Sequence, residues 1–254
     1  MTITVVYIVV THGKHTEELC ARFAASWLLN PPGVECQLLL VCNGGAIGED
    51  VACLFLPIDG VRIVVRENDE GRDISGYQHA AKYCESDMLA CLGESVHFWR
   101  SDWLVPVVRA WEQYGPGFYG FFSSFLVRPH LNTTAFCCAP RHLSAYPVVA
   151  DHKARYEFEH GKRALWRRVY AKGEPTMLVT EAGVYPPRLW RSPKNIMWRG
   201  DQSACLIRCN HVERWENSDD KTKARWSRGA DTLREPDFIS RHGSLYAQNQ
   251  FEKA

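Results

Sequence analysis

At 254 residues, with 46% hydrophobic and 12% aromatic side chains, the chain carries enough apolar material for one large domain with a real core. Its formal net charge of +1 lacks the basic excess of a dedicated nucleic-acid binder. No apolar run approaches the ~18 residues that span a bilayer.

The amino terminus shows no positive n-region and no small-residue cleavage site, so no signal peptide is expected. Most of the ten cysteines lie within or beside apolar runs, where a free thiol packs as a small hydrophobe. Together these features predict a cytoplasmic protein in a reducing compartment.

Thr2 to Val10 is an uncharged, β-branched run that reads as a central strand. Thr11-His12-Gly13-Lys14 closes it. His15 to Leu29 then sets Leu19, Phe23 and Trp27 on one helical stripe, and Asn30-Pro31-Pro32-Gly33 stops the helix. Val34 to Cys42 predicts a second strand, closed by Asn43-Gly44-Gly45. Val61 to Val65 predicts a third, and Met88 to Leu92 a fourth that ends at Gly93-Glu94-Ser95.

Strands alternating with helices predict βαβ units and a mainly parallel sheet. Four polar tips would then share the carboxyl edge of that sheet, where α/β proteins place ligands. They are Thr11-His12, Asn43-Gly44-Gly45, Asn68 to Asp73, and Glu94-Ser95.

The second half changes character, with an antiparallel addition to the sheet expected. Phe118 to Leu126 and Thr133 to Cys138 read as strands, and Pro140 to Tyr146 as a short helix. Arg155 to Lys172 reads as one amphipathic helix ending at Gly173, and Met177 to Thr180 as a strand. From Tyr185 onward Trp, Pro and Arg interleave without a period, which predicts irregular structure over the site edge. Glu235 to Ala254 reads as a loosely packed tail. The expected organisation is one domain over 1–234 and a tail over 235–254.

The loop from Arg66 to Gln78 combines Gly71 with Asn68, Arg72 and Asp73, chemistry suited to a sugar or phosphate. Asp73 can accept from a base or ribose and Arg72 can face phosphate. The plainer reading is a surface ion pair. Glu94 offers a carboxylate to a metal or donor sugar, or is a solvated loop residue. His130, Asn132, Thr133 and Thr134 either line an acceptor side or stabilise a turn.

Arg199, within Trp198 to Ser203, can neutralise a diphosphate. Cys205, Cys209 and His211 lack a fourth ligand at regular spacing, so free thiols are expected there. No Gly-x-Gly-x-x-Gly and no Walker loop occurs, against a dinucleotide enzyme or an NTPase. Lys162, Arg163, Arg167, Arg168, Arg188, Arg191 and Lys194 gather in the second half and would suit a phosphate backbone.

Across roughly Thr2 to Tyr185 these segments resemble GT-A-fold glycosyltransferases of the family 2 type. The likeness is to small bacterial and phage-type members, including the glycosyltransferase parts of rhamnan-synthesis proteins. Thr11-His12-Gly13 matches that family's nucleotide loop, and Leu38 to Gly45 its strand ending in an acidic turn. Arg66 to Asp73 matches its Asn-x-Gly loop against the nucleotide, and Leu89 to Ser95 its strand ending in the metal-binding acidic motif. Phe158-Glu159-His160-Gly161, Leu165 to Gly173 and Leu178 to Thr180 match its acidic residue, helix and following strand.

The resemblance implies a three-layer α/β GT-A (Rossmann-like nucleotide-diphospho-sugar transferase) fold with a mostly parallel central sheet. It implies sugar transfer from a nucleotide-diphosphate donor to an acceptor hydroxyl, with inversion. The acceptor class stays open: a glycan, a small molecule or a modified nucleic acid. Thr11, His12, Asn43, Asn68, Arg72, Asp73 and Arg199 would face the nucleotide and diphosphate. Glu94 would meet a divalent cation, Mn²⁺ or Mg²⁺.

Glu159 would be the general base, with Glu157 as the fallback. Its plainer reading is a carboxylate opening a helix, where the dipole is worth ~0.3–1 kcal/mol. Two departures stand out: the Asn43 turn lacks the acidic pair, and the metal motif keeps one carboxylate instead of two. The first bears on recognition of the nucleobase; the second supports the alternative of a non-catalytic nucleotide-sugar-binding protein on the same scaffold.

Overall fold

A computed structural model describes residues 1–125, 128–191 and 197–232. The expected tail over 235–254 and Lys194 lie outside the described residues.

The first half alternates as expected. Strand β1 (Ile3–Val10) leads to helix α1 (Thr16–Leu29), β2 (Gln37–Asn43), α2 (Glu49–Cys53), β3 (Arg62–Arg66), α3 (Arg72–Ala80), β4 (Met88–Leu92) and α4 (Val105–Tyr114). The second half adds short strands β5 (Phe118–Gly120), β6 (Ser123–Ser124), β7 (His130–Leu131) and β8 (Ala135–Cys138), then helices α5 (Pro140–Ser144), α6 (His152–Glu159) and α7 (Leu165–Ala171). Strands β9 (Thr176–Thr180) and β10 (Gly183–Tyr185), a 3-10 turn at Pro187–Leu189, α8 (Asn210–Glu216) and α9 (Asp220–Thr232) complete the described chain.

Eight strands form one sheet in the order β10-β9-β5-β8-β4-β1-β2-β3. Strands β4, β1, β2 and β3 are mutually parallel neighbours, and β5 runs parallel to β9. Strands β8 and β10 run against the others, which is the antiparallel addition. The architecture is therefore α/β with a mostly parallel central sheet.

Strands buried on both faces read as continuous apolar runs, and β1 shows why. Its Val5, Tyr7 and Val9 join one core with Phe23 and Trp27 of α1 and Trp111 of α4. Its Val6 and Ile8 join a second core with Ile74 and Tyr77 of α3, Phe158 of α6 and Trp166 of α7. The alternation of side chains along a strand thus makes three layers, helices on either side of the sheet.

Three expectations fail locally. The single helix over 155–172 is broken: α6 ends at Glu159 and α7 starts at Leu165. At Gly161 a Cβ would run into Glu157, so the chain turns tightly there. The strand over 118–126 stops at Gly120, because Leu131 packs on it where a Cβ would sit 2.8 Å from that side chain. The region after Tyr185 is not irregular throughout, for α8 and α9 bring Val212, Trp215 and Trp226 onto the first core. Among the described residues no helix is long and apolar enough to cross a membrane.

Candidate functional site

Because β4, β1, β2 and β3 are parallel neighbours, their carboxyl ends share one rim, and hydrogen bonds sew the tips together. Thr11 donates from both its backbone N–H and its hydroxyl to the Asn43 carbonyl, each at 3.0 Å. The N–H groups of Gly44 and Gly45 donate to the Arg66 carbonyl at 2.9 and 2.8 Å. Tyr7 donates its hydroxyl to the Glu94 carbonyl at 2.8 Å. Gly44 has φ +97°, and a Cβ there would lie 3.2 Å from the exposed His12 ring. Glycine at this tip leaves His12 room at the rim.

Asn43 works from below the rim. It is fully buried; its Nδ2 donates to the Arg72 carbonyl at 3.1 Å and its Oδ1 accepts from Arg66 at 2.6 Å. Asn68 is held by the same arginine, accepting from Arg66 at 3.3 Å and from the Glu70 N–H at 3.2 Å. Both asparagines therefore shape the loop with their side chains.

Gly71 and Arg72 take left-handed backbone in succession, with φ of 68° and 49°. At Gly71 a Cβ would run into the Val149 carbonyl. Arg72 is not glycine, so its φ is a strained feature of the kind that gathers at functional sites. The charge of the exposed Arg72 acts on Glu94, opposing the rise of its carboxyl. Gln78 pins the facing loop, donating to the Pro147 and Tyr146 carbonyls at 3.0 and 3.2 Å and accepting from the Val149 N–H at 3.0 Å.

Three carboxylates from distant parts of the chain are linked here through their charges. Partial burial pushes the Glu94 carboxyl up, Asp73 and Asp69 add to the rise, and Arg72 opposes it. Burial likewise raises Asp73; Arg155 opposes and Glu159 adds. Asp73 thus stands electrostatically between Glu94 and Glu159. Arg155 approaches it at 3.3 Å, with 26% of the Asp73 side chain still open to solvent.

Tyr77 lies one turn along α3 from Asp73 and is fully buried. Desolvation first, then Asp73, Cys91 and Glu159, raise its hydroxyl well above the ordinary value, against Arg155. That hydroxyl has no hydrogen-bond partner among the described residues.

Glu159 does not open a helix. It is the last residue of α6, whose start is capped by Asp151 accepting from the Ala154 N–H at 2.7 Å. At a helix carboxyl end the dipole disfavours an anion, so the plainer reading of Glu159 fails. Its Oε1 instead accepts from the Thr133 N–H at 3.0 Å, and His130 Nε2 and His160 Nε2 stand 3.6 and 3.5 Å from its two oxygens. Burial first, then His130 and Arg128, lower His160 to about 4, with Glu159 opposing. Across the site, His211 of α8 feels the Glu159 charge.

Asn132 and Thr134 stabilise the facing turn: Asn132 Oδ1 accepts from the Thr134 N–H at 2.9 Å. Glu157, the fallback, lies away from the cluster. It lines a groove with Arg128, Lys162 and Arg163, and its charge acts on Tyr146. Arg199 sits in a loop whose Trp198 ring packs 5.4 Å from His211, and its carbonyl accepts from Gln202 at 2.6 Å. None of the ten cysteines, Cys205 and Cys209 among them, forms a disulfide.

The sequence reading missed Tyr77, Arg155 and Asp69. The four-residue spacing of Asp73 and Tyr77 on α3 puts both on one face and was a usable signal. Arg155 carried none. A cavity of about 720 Å³ opens at the opposite, amino-terminal edge of the sheet, beside Thr2, Cys36, Arg62 and Cys84. It holds no comparable meeting of charges, so the chemistry rather than the volume selects the carboxyl rim.

No family model and no curated protein matches the chain. Among solved structures, residues 1–349 of TarS from S. aureus align at a TM-score of 0.47 and 10% identity, over 62% of this chain and 54% of that one. Mannosyltransferase PcManGT from Pyrobaculum calidifontis, in complex with GDP-Man and Mn²⁺, aligns at 0.44 and 9%, over 60% and 50%. Glucosyl-3-phosphoglycerate synthase from Mycobacterium tuberculosis, with Mn²⁺ and UDP, aligns at 0.43 and 13%, over 61% and 62%. The chain thus matches between half and two thirds of each of these chains. At such scores the likeness concerns general layout, and the reading of the site rests on the side chains above.

Proposed function

We propose that the chain is a glycosyltransferase that moves a sugar from a nucleotide-diphosphate donor to an acceptor hydroxyl. One observation carries the reading: Asp73, Glu94 and Glu159 gather at one carboxyl rim with Arg72 and Arg155 among them. Thr11, His12 and the loop built on Asn43 and Asn68 cradle the nucleotide. Arg72 faces the diphosphate, with the Arg199 loop on the α8 side. Preorganised cations of this kind stabilise a leaving diphosphate.

Glu159 takes the proton of the acceptor hydroxyl. The acceptor oxygen bonds to the anomeric carbon, and the bond to the donor oxygen breaks with its electron pair leaving on the diphosphate. A single displacement inverts the sugar. Opposition of Glu94 to Glu159 across Asp73 supports separate leaving-group and base sides.

Asp73 and Asp69 act on Glu94 through their charges, but the three do not come together as a cluster of ligand atoms among the described residues. Mg²⁺ or Mn²⁺ would therefore be held by Glu94 with diphosphate oxygens and water, and would neutralise charge on the diphosphate.

Calorimetric titration with a panel of nucleotide-diphosphate sugars, with and without Mn²⁺, followed by transfer and donor-hydrolysis assays, tests the reading. Glu159→Gln should keep donor binding and lose turnover by roughly 10²–10⁴-fold; retained turnover excludes the base assignment. The lone carboxylate at the tip of β4 favours a second reading, a nucleotide-sugar-binding protein. Binding without turnover on any acceptor, glycan, small molecule or modified nucleic acid, would establish it.

A further inference from the structure

We infer that His130, Glu159 and His160 form a separate site for a borderline divalent cation of the Zn²⁺ class, and that occupancy of this site silences the base. The second half rests on the base reading above; the first does not.

The three side chains present ligand atoms that all lie within 4.8 Å of one another. His130 Nε2 stands 3.6 Å from Glu159 Oε1 and His160 Nε2 3.5 Å from Glu159 Oε2. A tetrahedral Zn²⁺ with bonds of ~2.0–2.1 Å holds its ligands roughly 3.3–3.4 Å apart. A turn of the Glu159 carboxyl that offers one oxygen to both imidazoles, with closure of the 4.8 Å span, brings the cluster to that spacing.

His130 Nδ1–H donates to the Arg128 carbonyl at 2.6 Å, which aims Nε2 at the Glu159 carboxyl. A ligating histidine that donates its other N–H to a backbone carbonyl is the usual outer-shell arrangement of a metal site. His130 is buried and its ring packs edge-on to His160 at 4.3 Å, so the donor set is rigid on one side.

Two imidazoles and one carboxylate favour Zn²⁺, Cu²⁺ or Ni²⁺ over Mg²⁺. A lone carboxylate such as Glu94 with diphosphate oxygens favours the reverse. Arg128 acts on His160 and opposes a cation, but its side chain is exposed and screened by solvent. Three protein ligands leave a fourth position open. A bound ion would take the Glu159 lone pairs that the acceptor proton needs.

The test strips the full chain with a chelator and titrates Zn²⁺ against a chromophoric competitor, with Co²⁺ absorption reporting coordination geometry. One equivalent should bind, in the presence of excess Mg²⁺. His160→Ala and Glu159→Gln should each weaken it at least ~10-fold, while Cys205→Ser and Cys209→Ser leave it unchanged. His130 is buried, so its replacement disturbs the core as well as the site; His160 is partly exposed, and circular dichroism of its variant checks the fold. No binding, or binding indifferent to both ligand variants, overturns the site. If transfer is found and saturating Zn²⁺ leaves it undiminished, the silencing falls while the site stands. If Zn²⁺ binds as described and no donor ever supports transfer, the proposed function fails and the site survives it.

Discussion

Tyr77 offers the sharpest separation between a residue that holds the fold and one that serves a ligand. Its ring is fully buried and packs edge-on to Phe136 at 5.4 Å, so the phenyl portion is core. Its hydroxyl has no partner among the described residues, although Asp73 and Glu159 both act on it. A buried hydroxyl without a hydrogen bond costs ~1–3 kcal/mol. Tyr77→Phe removes the hydroxyl and keeps the shape, so it should raise stability by roughly 1–2 kcal/mol, or about 2–8 °C for a chain of this size.

A donor that meets the hydroxyl loses a hydrogen bond of ~0.5–1.5 kcal/mol in the variant, which weakens binding roughly 2- to 12-fold. Urea unfolding reads the first effect and calorimetric titration with a nucleotide-diphosphate sugar the second. Destabilisation beyond about 0.5 kcal/mol would show that the hydroxyl is satisfied within the protein. Unchanged donor affinity would remove Tyr77 from the site.

Gln78→Leu strands the buried Val149 N–H and the Pro147 carbonyl, and should cost ~2–4 kcal/mol in urea unfolding; a loss under about 1 kcal/mol refutes the pinning role. Arg155→Met leaves Asp73 without the cation that opposes its burial, so donor affinity should fall roughly 2- to 5-fold by titration; unchanged affinity would break the link between α6 and the donor side. Five histidines, His79, His97, His142, His160 and His211, are lowered chiefly by burial, so the unfolded chain takes up their protons first as pH falls. Stability should therefore hold above the ordinary value of 6.5 and decline below it, toward the His160 value of about 4. Asp73 and Glu94, both raised, act with the opposite sign and return stability as pH falls through their raised values toward the ordinary 3.8 and 4.5, two carboxyls set against the five imidazoles; a flat urea midpoint between about pH 7 and about pH 5 would refute the histidine account.

The parallel half was legible because its central strands are buried on both faces. Val5 to Val9 and Met88 to Leu92 admit no charge, and polar tips end them. Once three such strands and the exposed edge strand β3, with its Arg62 and Arg66, are parallel neighbours, a common rim for Thr11, Asn43, Asn68 and Glu94 follows from topology. The break before α7 was not legible. Phe158, Leu165 and Val169 keep helical phase across the turn at Gly161, since seven and four residues are both near whole turns. Period alone therefore joined two helices and put Glu159 at the wrong end of one. Helix α8 hid for the opposite reason: Val212 and Trp215 are too sparse a stripe to register. Contacts such as Asp73 with Arg155, 82 residues apart, leave no local trace.

The two halves of the sheet supply different parts of the rim. Arg72, Asp73 and Glu94 stand on tips of the parallel half, fixed by the backbone bonds that sew those tips together. Glu159 arrives on α6, which the chain builds only after the antiparallel crossing at β8. Arg155 and Glu159 are one turn apart on that helix, so a single face offers a cation to Asp73 and a carboxylate to Thr133 and His130. A shift of α6 would move both at once, so the geometry of the proposed base depends on the same ion pair that steadies the proposed donor side. That dependence explains how a part-exposed pair, worth little as an isolated interaction, can still set the separation between Asp73 and Glu159.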